Sequence, residues 1–386
     1  MAEIEHIVDP EDKLHPKFES VKDVKLLFLP KGVQESGLTE LTEATIGEAV
    51  ESGMVDNETL GYFIARIYLF LVSIGVDKTR LRFRQHMSNE MAHYAADCWD
   101  AELHTSYGWV ECVGCADRSA YDLSVHLART GQNLVVRKML PEPVTVQKWE
   151  MELNKKKFGP KFRKDAGAVE KWLLQRTECE LEDLAAELSK EGKIVFSVPD
   201  VGENLELDSE FVKIKKVTKT EHVREYTPNV IEPSFGIGRI IYSVFEHQFW
   251  ARPEDAARGV LSFPPAVAPT KVLLVPLLSH ADLQPIVKQI SAVLRKEKIP
   301  FKVDDSSASI GKRYARNDEL GTPFGITIDF DSVKDGSVTL RERDSTKQVR
   351  GSVEHIVKAI KEITYEGISW KEGTSKLAVF EGQTAE

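Results

Sequence analysis

The segment most informative about the architecture of this chain is Ile231-Glu232-Pro233-Ser234-Phe235-Gly236-Ile237-Gly238-Arg239-Ile240-Ile241-Tyr242. The β-branched pair before Glu232 favours a strand, and Pro233 holds Glu232 in extended geometry. Gly236 and Gly238 let backbone amides come close to a ligand. Apolar residues then recur at helical spacing. We therefore predict a strand, a turn and a helix start that unite a carboxylate, a hydroxyl and an arginine. That combination suits a small zwitterion beside a polyphosphate.

The composition indicates a globular chain of more than one domain. The 386 residues are 42% hydrophobic and 29% charged, which is ordinary for globular proteins. No run of eighteen apolar residues predicts a membrane-spanning helix. The formal net charge of −10 argues against a surface that coats nucleic acid but allows a local contact patch. The first residues are acidic and show no targeting peptide, so we expect a cytoplasmic location, with a mitochondrial form of the parent protein left open.

The cysteines indicate a reducing compartment. The pair Cys112-x-x-Cys115 could indicate zinc or redox chemistry, but no second pair follows at a spacing that would complete a structural zinc site. We predict small buried thiols instead. The full set is Cys98, Cys112, Cys115 and Cys179.

The segment at residues 231–242 resembles motif 3 of class II aminoacyl-tRNA synthetases, E-P-S-F-G-x-G-R, in the form found in the eukaryotic-type glycyl-tRNA synthetase family. Residues 1–6 resemble the second strand of motif 2. Residues 82–86, 99–100 and 107–114 resemble the inner strands of the catalytic sheet, and residues 303–319 resemble the anticodon-binding domain. The resemblance covers essentially the whole chain.

The resemblance implies an α+β and α/β architecture. We expect an incomplete antiparallel-sheet catalytic core of the class II synthetase type, followed by an α/β anticodon-binding domain with a mixed sheet. Alternating strands and helices after residue 270 independently favour that second sheet. The predicted domains are the core at 1–140, an insertion at 141–225 near the tRNA acceptor arm, the motif 3 part of the core at 226–264, the anticodon-binding domain at 270–373 and a fraying tail at 374–386.

The beginning of the chain departs from the family pattern. Motif 1, which forms the dimer interface in this class, and the first strand of motif 2 with its ATP-binding arginine have no counterpart. The strand Ala2 to Val8 would therefore lack its hairpin partner. A fragment beginning at an internal methionine and a natural short form are both open. In either case we expect adenylation by this chain alone to be impaired, and exposed apolar surface to promote aggregation.

The implied function is glycine–tRNA ligase. Glycine would attack the α-phosphate of ATP, and the glycyl group would then pass to a terminal ribose hydroxyl of tRNA(Gly). By resemblance, Glu3 and Glu232 bind the glycine ammonium with Ser234 as a neutral partner. For Glu232 we also argue from the residues, since a buried carboxylate without a partner is costly and a ligand would supply one. An exposed strand residue is the alternative for Glu3.

The implied ATP-binding residues are Glu111, Cys112, Gly236 and Arg239. Glu111 would reach ATP through Mg²⁺, which needs only one or two carboxylates beside phosphates. Arg239 would clamp the γ-phosphate, with an ion pair to Glu111 as the alternative. A nearby polar set is assigned to core hydrogen bonding, and it consists of Arg84, His86, Glu90 and His93.

Basic segments provide weaker candidates for tRNA contact. Lys312, Arg313 and Arg316 could read anticodon bases with the neighbouring acids 304–305 and 318–319, although caps and ion pairs are the alternative. Two further groups could contact phosphate or simply be solvated. They are the run Lys155 to Lys164, followed by Lys213, Lys215, Lys216 and Lys219, and the arginines Arg341, Arg343 and Arg350.

Two other functions are compatible with the sequence. One is a non-catalytic tRNA- or nucleic-acid-binding paralogue or accessory subunit of synthetase fold. The other is a structural partner that docks on a longer synthetase. The motif residues in family form argue against long functional drift, whereas the departures at the beginning argue for lost activity. The expected ligands and partners of the enzyme are glycine, ATP, Mg²⁺, tRNA(Gly) and, for the family, a second copy in a homodimer.

Overall fold

The computed structural model describes residues 1–132, 134–199 and 201–381. Its strands are β1 (Ala2–Glu3), β2 (His6–Val8), β3 (Lys25–Leu29), β4 (Thr42–Thr45), β5 (Leu81–Gln85), β6 (Asp97–Thr105), β7 (Gly108–Asp117), β8 (Val136–Leu153), β9 (Lys193–Val198), β10 (Gly202–Asp208), β11 (Val212–Tyr226), β12 (Asn229–Phe235), β13 (Phe249–Arg252), β14 (Asp255–Leu261), β15 (Val272–Pro276), β16 (Phe301–Val303), β17 (Phe324–Ile328), β18 (Ser337–Glu342), β19 (Gln348–Ser352) and β20 (Ala378–Val379).

The α-helices lie between these strands. They are α1 (Lys31–Glu35), α2 (Ile46–Glu51), α3 (Glu58–Ser73), α4 (Tyr121–Thr130), α5 (Lys155–Phe162), α6 (Ala166–Leu174), α7 (Glu178–Glu191), α8 (Ile237–Gln248), α9 (Gln284–Lys296), α10 (Ile310–Glu319), α11 (Phe330–Asp335), α12 (Val353–Tyr365) and α13 (Trp370–Gly373). None of the helices in the described residues is long and apolar enough to cross a membrane.

The first sheet has the order β1-β12-β7-β6-β5-β3-β4, and β2 also pairs with β12. Its pairs are antiparallel except β3 with β5, which confirms the predicted antiparallel core. The helix α3 packs on one face, where its buried side chains meet the core residue Trp99. Trp99 is fully buried and packs edge-on against Phe28, with ring centroids 5.4 Å apart. The opposite face of β5, β6, β7 and β12 is polar and is therefore available for chemistry.

The helix α3 begins at a side-chain cap. Asn57 accepts a hydrogen bond from the Leu60 amide at 2.9 Å and donates to Asp117 at 3.0 Å. After the helix, Gly75 takes a φ of +105° that other residues rarely adopt. A capping asparagine and a glycine just after the last turn are the local signals that bound this helix in the sequence.

The cap predicts a stability effect. Replacing Asn57 with alanine should lower the free energy of unfolding by about 1 kcal/mol, within the range of about 0.5–2 kcal/mol for lost caps, because an amide at the helix start loses its partner. Urea denaturation followed by circular dichroism measures the change. The control Asn57→Ser keeps a capping oxygen and should lose less. Equal losses in both variants would show that the cap is not the cause.

Residues Thr130–Thr227 form a compact unit of their own. It contains the long antiparallel ribbon β8–β11, the hairpin β9–β10 and helices α5, α6 and α7. Its small core includes Phe158, Val169, Leu173 and Phe196. The predicted domain bounds stay predictions, but residue 141, at which the insertion was predicted to begin, lies inside β8 rather than between elements.

The α/β domain after residue 270 has a six-stranded sheet in the order β16-β15-β17-β18-β19-β20. β15 runs parallel to β16 and β17, while the remaining pairs are antiparallel. The predicted mixed sheet is therefore confirmed. Its core is made largely by branched side chains from the strands and from α9 and α12, because those strands are covered by helices.

Two local predictions need correction. The strand expected from Ala2 to Val8 is divided into β1 and β2, both paired with β12. The tail expected to fray from Thr374 includes β20, which pairs with β19. That pairing satisfies backbone groups that a local pattern could not assign, and residues 382–386 lie outside the described residues.

The α/β domain contains an acid-sensitive ion pair. Arg350 donates to Asp329 at 2.7 and 3.0 Å. Burial raises the pKa of Asp329, but hydrogen bonds from Arg350 and Ser332 outweigh it and hold the pKa below its ordinary value. A carboxyl group with a depressed pKa in the folded state stabilises the fold above its unfolded pKa of about 3.9, and that stability is lost as pH falls through the folded pKa.

We therefore expect Asp329→Asn to flatten the pH dependence of stability below about pH 4. The measurement is the urea midpoint of both proteins across that acid range. Asp305→Asn, which changes an exposed carboxylate of the same domain, should keep the wild-type slope. Parallel pH profiles for Asp329→Asn and the wild type would contradict the assignment.

Candidate active site

The strand register gathers the predicted glycine-binding residues in two adjacent rows. Glu3 pairs with Ser234, which pairs with Gly114 on β7. In the next row, Glu232 pairs with Ala116. Directly paired residues present their side chains on the same face of a sheet. The Ser234 hydroxyl accordingly donates to Glu3 Oε1 at 3.3 Å, and Glu232 lies on the same face.

Small residues separate this acidic group from the next strand. Gly114 and Ala116 are flanked on β6 by Asp100 and Cys98, respectively. A Cβ atom built on Gly114 would lie 3.6 Å from Asp100 Oδ1. The face therefore has a shallow floor without side-chain bulk beside the carboxylates, and such a hollow suits a very small ligand. Sequence reasoning did not identify this floor because it depends on strand register.

Glu232 has a protein partner that the sequence analysis missed. Arg118 Nη1 lies 2.9 Å from Glu232 Oε2, and Arg118 also donates to Asp122 at 2.8 Å. The guanidinium lies over the Tyr94 ring, 5.0 Å from its centroid. The argument that Glu232 lacks a partner is thus wrong. Arg118 directly follows the end of β7, and this position at a strand terminus was the available signal.

The electrostatic surroundings of Glu232 are predominantly acidic. Burial raises its pKa above the ordinary value, Arg118 opposes that shift, and Glu5 and Glu3 add to it. An additional cation would therefore bind favourably at this position, because it would stabilise the ionised carboxylate. An ammonium ion meets that requirement.

The turn after β12 brings two backbone segments together. The Gly236 amide donates to the Cys112 carbonyl at 2.8 Å, and a Cβ atom on Gly236 would lie 3.1 Å from that oxygen. Gly236 thus permits a close backbone approach, and its amide already has an acceptor. Around Gly238 the space is open. The predicted strand, turn and helix are confirmed by β12 and α8.

Arg239 and Glu111 lie next to this turn. Arg239 Nη1 donates to the Glu111 carbonyl at 2.8 Å and lies 3.8 Å from its Oε1. Both side chains are more than half exposed, at 58% and 55%. The contact with Glu111 was the alternative reading of Arg239, and the phosphate role stays a prediction. The exposed Glu111 carboxylate fits the demand of Mg²⁺ for one or two carboxylates beside phosphates.

A β-bulge shapes this part of β7. Val113 pairs with Ala101 and Glu111 pairs with Glu102, which leaves Cys112 as an extra residue. The bulge interrupts the alternation of a regular strand around Cys112. Bulges re-aim neighbouring side chains, and here Glu111 is exposed while Cys112 and Val113 are both buried. A sequence pattern cannot show a bulge that is defined by the facing strand.

The two cysteines of the Cys-x-x-Cys pair are free and buried, as predicted. Burial raises the pKa of the Cys112 thiol and raises that of Cys115 well above its ordinary value. Cys112 Sγ lies 3.8 Å from the Ser243 hydroxyl. Both thiols are therefore core groups, and only the Cys112 backbone is left for the predicted ATP contact.

The predicted polar set is hydrogen-bonded on the same sheet face. Arg84 contacts Glu90 at 2.8 Å and Glu102 at 3.2 Å. His86 Nε2 lies 2.7 Å from Asp100 Oδ2, and this hydrogen bond is the main reason that the pKa of His86 is raised to about 10. Hydrogen bonding is confirmed for these three residues, but Glu90 is exposed and Arg84 and His86 are only partly buried, whereas His93 packs edge-on against two tyrosine rings.

The three basic anticodon candidates differ in exposure. Arg313 is buried and donates to the carbonyls of Pro276, Leu277 and Asp304. Its guanidinium group is buried and bonded to backbone carbonyls within the protein. Arg313 is therefore not one of the proposed tRNA contacts. Lys312 is exposed. Arg316 is 54% exposed but pairs with Asp304 at 3.2 Å.

The arginines near the end of the chain are also structural. Arg341 donates twice to the buried Asp318, at 3.0 and 3.1 Å. Arg343 is buried and donates to backbone carbonyls, while Arg350 pairs with Asp329. Phosphate contact by this group is therefore wrong, as is base reading by Asp318, because the charges are used inside the fold.

The basic run in the unit Thr130–Thr227 is partly neutralised. Lys155 pairs with Glu170 at 3.1 Å, and Lys157 pairs with Glu210 at 2.5 Å. Among the described residues, Lys161 bonds only the Glu206 backbone carbonyl, and three exposed members of the run have neither an acidic nor a carbonyl partner, namely Lys156, Arg163 and Lys164. Three of the four later lysines pair with acids, namely Lys215, Lys216 and Lys219. The first run therefore keeps more unpaired cations than the later group.

Comparison with known proteins agrees with this geometry. Residues 271–363 match the family described as an anticodon binding domain. The chain is 68% identical over 383 residues to glycine–tRNA ligase 1, mitochondrial, of Saccharomyces cerevisiae, covering 99% of this chain and 56% of the relative. Identity to the glycine–tRNA ligase of Drosophila melanogaster is 48%, covering 100% and 50%. For that of Methanocaldococcus jannaschii it is 42%, covering 94% and 62%.

Among solved structures, a prolyl-tRNA synthetase from Cryptosporidium parvum complexed with L-proline and AMP aligns over 86% of this chain and 51% of that one. The TM-score is 0.40 and the sequence identity 14%. A score this low does not establish a shared fold, so the assignment rests on the sequence relatives. The chain spans about half the length of the curated relatives it matches.

The antiparallel sheet with its glycine-opened turn, followed by a domain that matches the anticodon binding family, agrees with the architecture expected for a class II aminoacyl-tRNA synthetase. At identities of 42–68%, nearly the whole chain is homologous to part of the glycine–tRNA ligases.

Proposed function

We propose that this chain carries the glycine- and ATP-binding face of a glycine–tRNA ligase, which forms glycyl-adenylate and transfers the glycyl group to tRNA(Gly). The observation that carries the proposal is the convergence of Glu3, Glu232 and Ser234 above the floor of Gly114 and Ala116. The relatives named as glycine–tRNA ligases support it and disfavour a non-catalytic paralogue or docking partner.

Glycine recognition follows from the charges. The ammonium group would bind Glu232 Oε1, since Arg118 contacts Oε2, and Glu3 would supply a second carboxylate. Ser234 would orient Glu3 through their hydrogen bond. A glycine has no side chain, so discrimination requires that larger amino acids be excluded by lack of space.

Activation would proceed beside the turn after β12. A glycine carboxylate oxygen attacks the α-phosphorus of ATP, and the bond to the pyrophosphate oxygen breaks. Arg239 would hold the γ-phosphate, because its planar guanidinium suits phosphate oxygens. Glu111 would hold Mg²⁺, which neutralises phosphate charge when it is bound. Positioning and charge neutralisation are the main demands of this chemistry.

Transfer completes the reaction when the terminal ribose hydroxyl of tRNA attacks the glycyl carbonyl carbon and AMP leaves. We propose that the unpaired cations Lys156, Arg163 and Lys164 contact the acceptor arm of tRNA. Lys312 and Arg316 would contact the anticodon. The cytoplasm is our proposed compartment. The word mitochondrial in the name of the yeast relative describes that protein.

The first test is glycine-dependent exchange of pyrophosphate into ATP, with the longer yeast relative as the positive control. Binding of a non-hydrolysable glycyl-adenylate analogue is measured in parallel by calorimetry. Exchange would establish activation by this chain. Analogue binding without exchange would place the recognition site here without complete chemistry. Failure of both would overturn the proposal.

Homodimer formation, which the resemblance implies for the family, is tested separately. Light scattering coupled to size exclusion gives the mass of the purified chain in solution. A mass of twice the 43.4 kDa chain would support a dimer, and a single-chain mass would count against one for this chain.

A further inference from the structure

His86, Cys98 and Asp100 form a cluster that the proposed aminoacylation chemistry does not use. One ligand atom from each residue lies within 4.8 Å of the other two. His86 is partly exposed, with 24% of its side chain accessible, whereas Asp100 is only 4% exposed. The cluster therefore combines a shielded carboxylate, Asp100, with a partly exposed imidazole, His86, past which an ion could enter.

Two neighbouring strands hold these side chains rigidly. Cys98 and Asp100 are two residues apart on β6 and consequently point to the same face. His86 directly follows β5, and its amide donates to the Cys98 carbonyl at 3.0 Å. The three groups are thus placed by the sheet ladder, which is a better support for a metal site than a mobile loop.

The donor set matches a particular ion. An imidazole nitrogen, a thiolate and a carboxylate are the ligands that Zn²⁺ accepts, whereas Ca²⁺ and Mg²⁺ prefer oxygen alone. Once the metal has displaced the protons of the imidazole and the thiol, the thiolate and carboxylate carry two negative charges, which balance the ion. Three protein ligands also leave the fourth tetrahedral position for water.

The geometry requires only local adjustment. Zinc bonds of about 2.0–2.3 Å place tetrahedral ligand atoms about 3.3–3.6 Å apart. The 2.7 Å contact between His86 and Asp100 must open, and the widest separation must shorten from at most 4.8 Å. Both changes can be made by side-chain rotation while the strands stay in register.

Arg84 is the group that opposes a cation here. Its Nη2 lies 3.6 Å from Asp100 Oδ2. However, Glu90 pairs with the same guanidinium at 2.8 Å, and Glu102, which Arg84 shares with Arg82, lies 3.2 Å from it. The positive charge of Arg84 is therefore already compensated, and Asp100 is left with enough negative charge to act as a ligand.

We propose that His86, Cys98 and Asp100 form a Zn²⁺-binding site on the substrate face of the sheet. Cys98 and Glu232 are both paired with Ala116, so two strand spacings, about 10 Å, separate the zinc site from the proposed ammonium site. The two sites are distinct, and the metal site does not depend on the aminoacylation proposal.

Cobalt substitution tests the site directly. Co²⁺ added to the metal-free full chain should give the intense visible bands of a tetrahedral ion and a thiolate-to-cobalt charge-transfer band in the near ultraviolet. Added Zn²⁺ should abolish both. The control Cys179→Ser, which changes an exposed cysteine, should leave the spectrum unchanged.

The variants assign the ligands. Cys98→Ser should lose the charge-transfer band, and His86→Gln should weaken Co²⁺ binding at least about tenfold, because even the loss of a group that only supports a ligand costs about 10–100-fold. Far-ultraviolet circular dichroism verifies folding. If Cys98→Ser does not fold, the wild-type spectrum and the affinity of His86→Gln still decide whether these residues bind the metal. A wild-type protein without the charge-transfer band, or a band that persists without Cys98, would overturn the proposal.

Discussion

Replacement of Asp318 by alanine is expected to lower the free energy of unfolding by about 3–5 kcal/mol, the cost of breaking a buried ion pair from one side. Asp318 accepts from Arg341 at 3.0 and 3.1 Å and from Arg252 at 2.9 Å. All three residues are buried. Without the carboxylate, two guanidinium groups would stay in the interior with uncompensated charge.

The location of this cluster makes the effect informative. Arg252 ends β13, which follows the motif 3 helix α8, whereas Asp318 belongs to α10 of the α/β domain. Arg252 also donates to the carbonyls of Arg343 and Asp344. The ion cluster therefore ties the segment after α8 to the domain matched as anticodon binding.

Urea denaturation followed by intrinsic fluorescence measures the loss. Glu297→Ala is the matched control, because Glu297 forms an ion pair of similar length with Lys361, 2.8 Å, but on the surface. Surface pairs contribute little, so this variant should denature close to the wild type. If Asp318→Ala were as stable as the control, the buried cluster would not contribute to stability as argued.

Glu232→Gln should weaken binding of a glycyl-adenylate analogue by about 10–100-fold. A hydrogen bond to a charged group contributes about 1.5–3 kcal/mol, and each 1.4 kcal/mol is a factor of ten. Glutamine keeps the size of the side chain and can still contact Arg118, but it cannot neutralise an ammonium group. Calorimetric titration of the analogue measures the change.

The free energy of unfolding of Glu232→Gln should not fall with its affinity for the analogue. The folded-state pKa of Glu232 is raised, mainly by burial, so the ionised carboxylate is less favourable in the folded chain than in the unfolded one. Folding is therefore opposed as pH rises above the ordinary glutamate pKa of about 4.3. Glu232→Gln should be at least as stable as the wild type at neutral pH while it loses affinity.

The matched control is Glu246→Gln on α8. Glu246 also pairs with an arginine, Arg80, at 2.8 Å, but it lies outside the proposed glycine site. Its analogue affinity should stay within twofold of the wild type. Loss of stability together with unchanged affinity in Glu232→Gln would show instead that Glu232 serves only as a structural partner of Arg118.

The order of secondary structure could largely be predicted from the sequence. Asn57 and Gly75 delimited α3, and the glycine-opened turn after Phe235 placed β12 and α8. Alternating strands and helices after residue 270 gave the mixed sheet. These features are local, because capping, turn chemistry and hydrophobic periodicity act within a few residues. The relatives then confirmed the family.

The residues of the site were predicted less completely. Family resemblance supplied Glu3, Glu232 and Ser234, but it gave neither Arg118 as the partner of Glu232 nor the bulge at Cys112. Arg313 looked like a nucleic-acid contact because it lies in a basic run. Its burial depends on the loop after β15, whose carbonyls are distant in sequence and close in space.

By itself, the sequence determined the kinds of elements, their order and the chemistry available to them. Only the tertiary structure decided which charges meet. The register of β1, β12 and β7 pairs Glu3 with Ser234 and Glu232 with Ala116. A shift of one residue would turn each side chain to the other face of the sheet. Register depends on pairing between distant segments, so no local pattern could specify it.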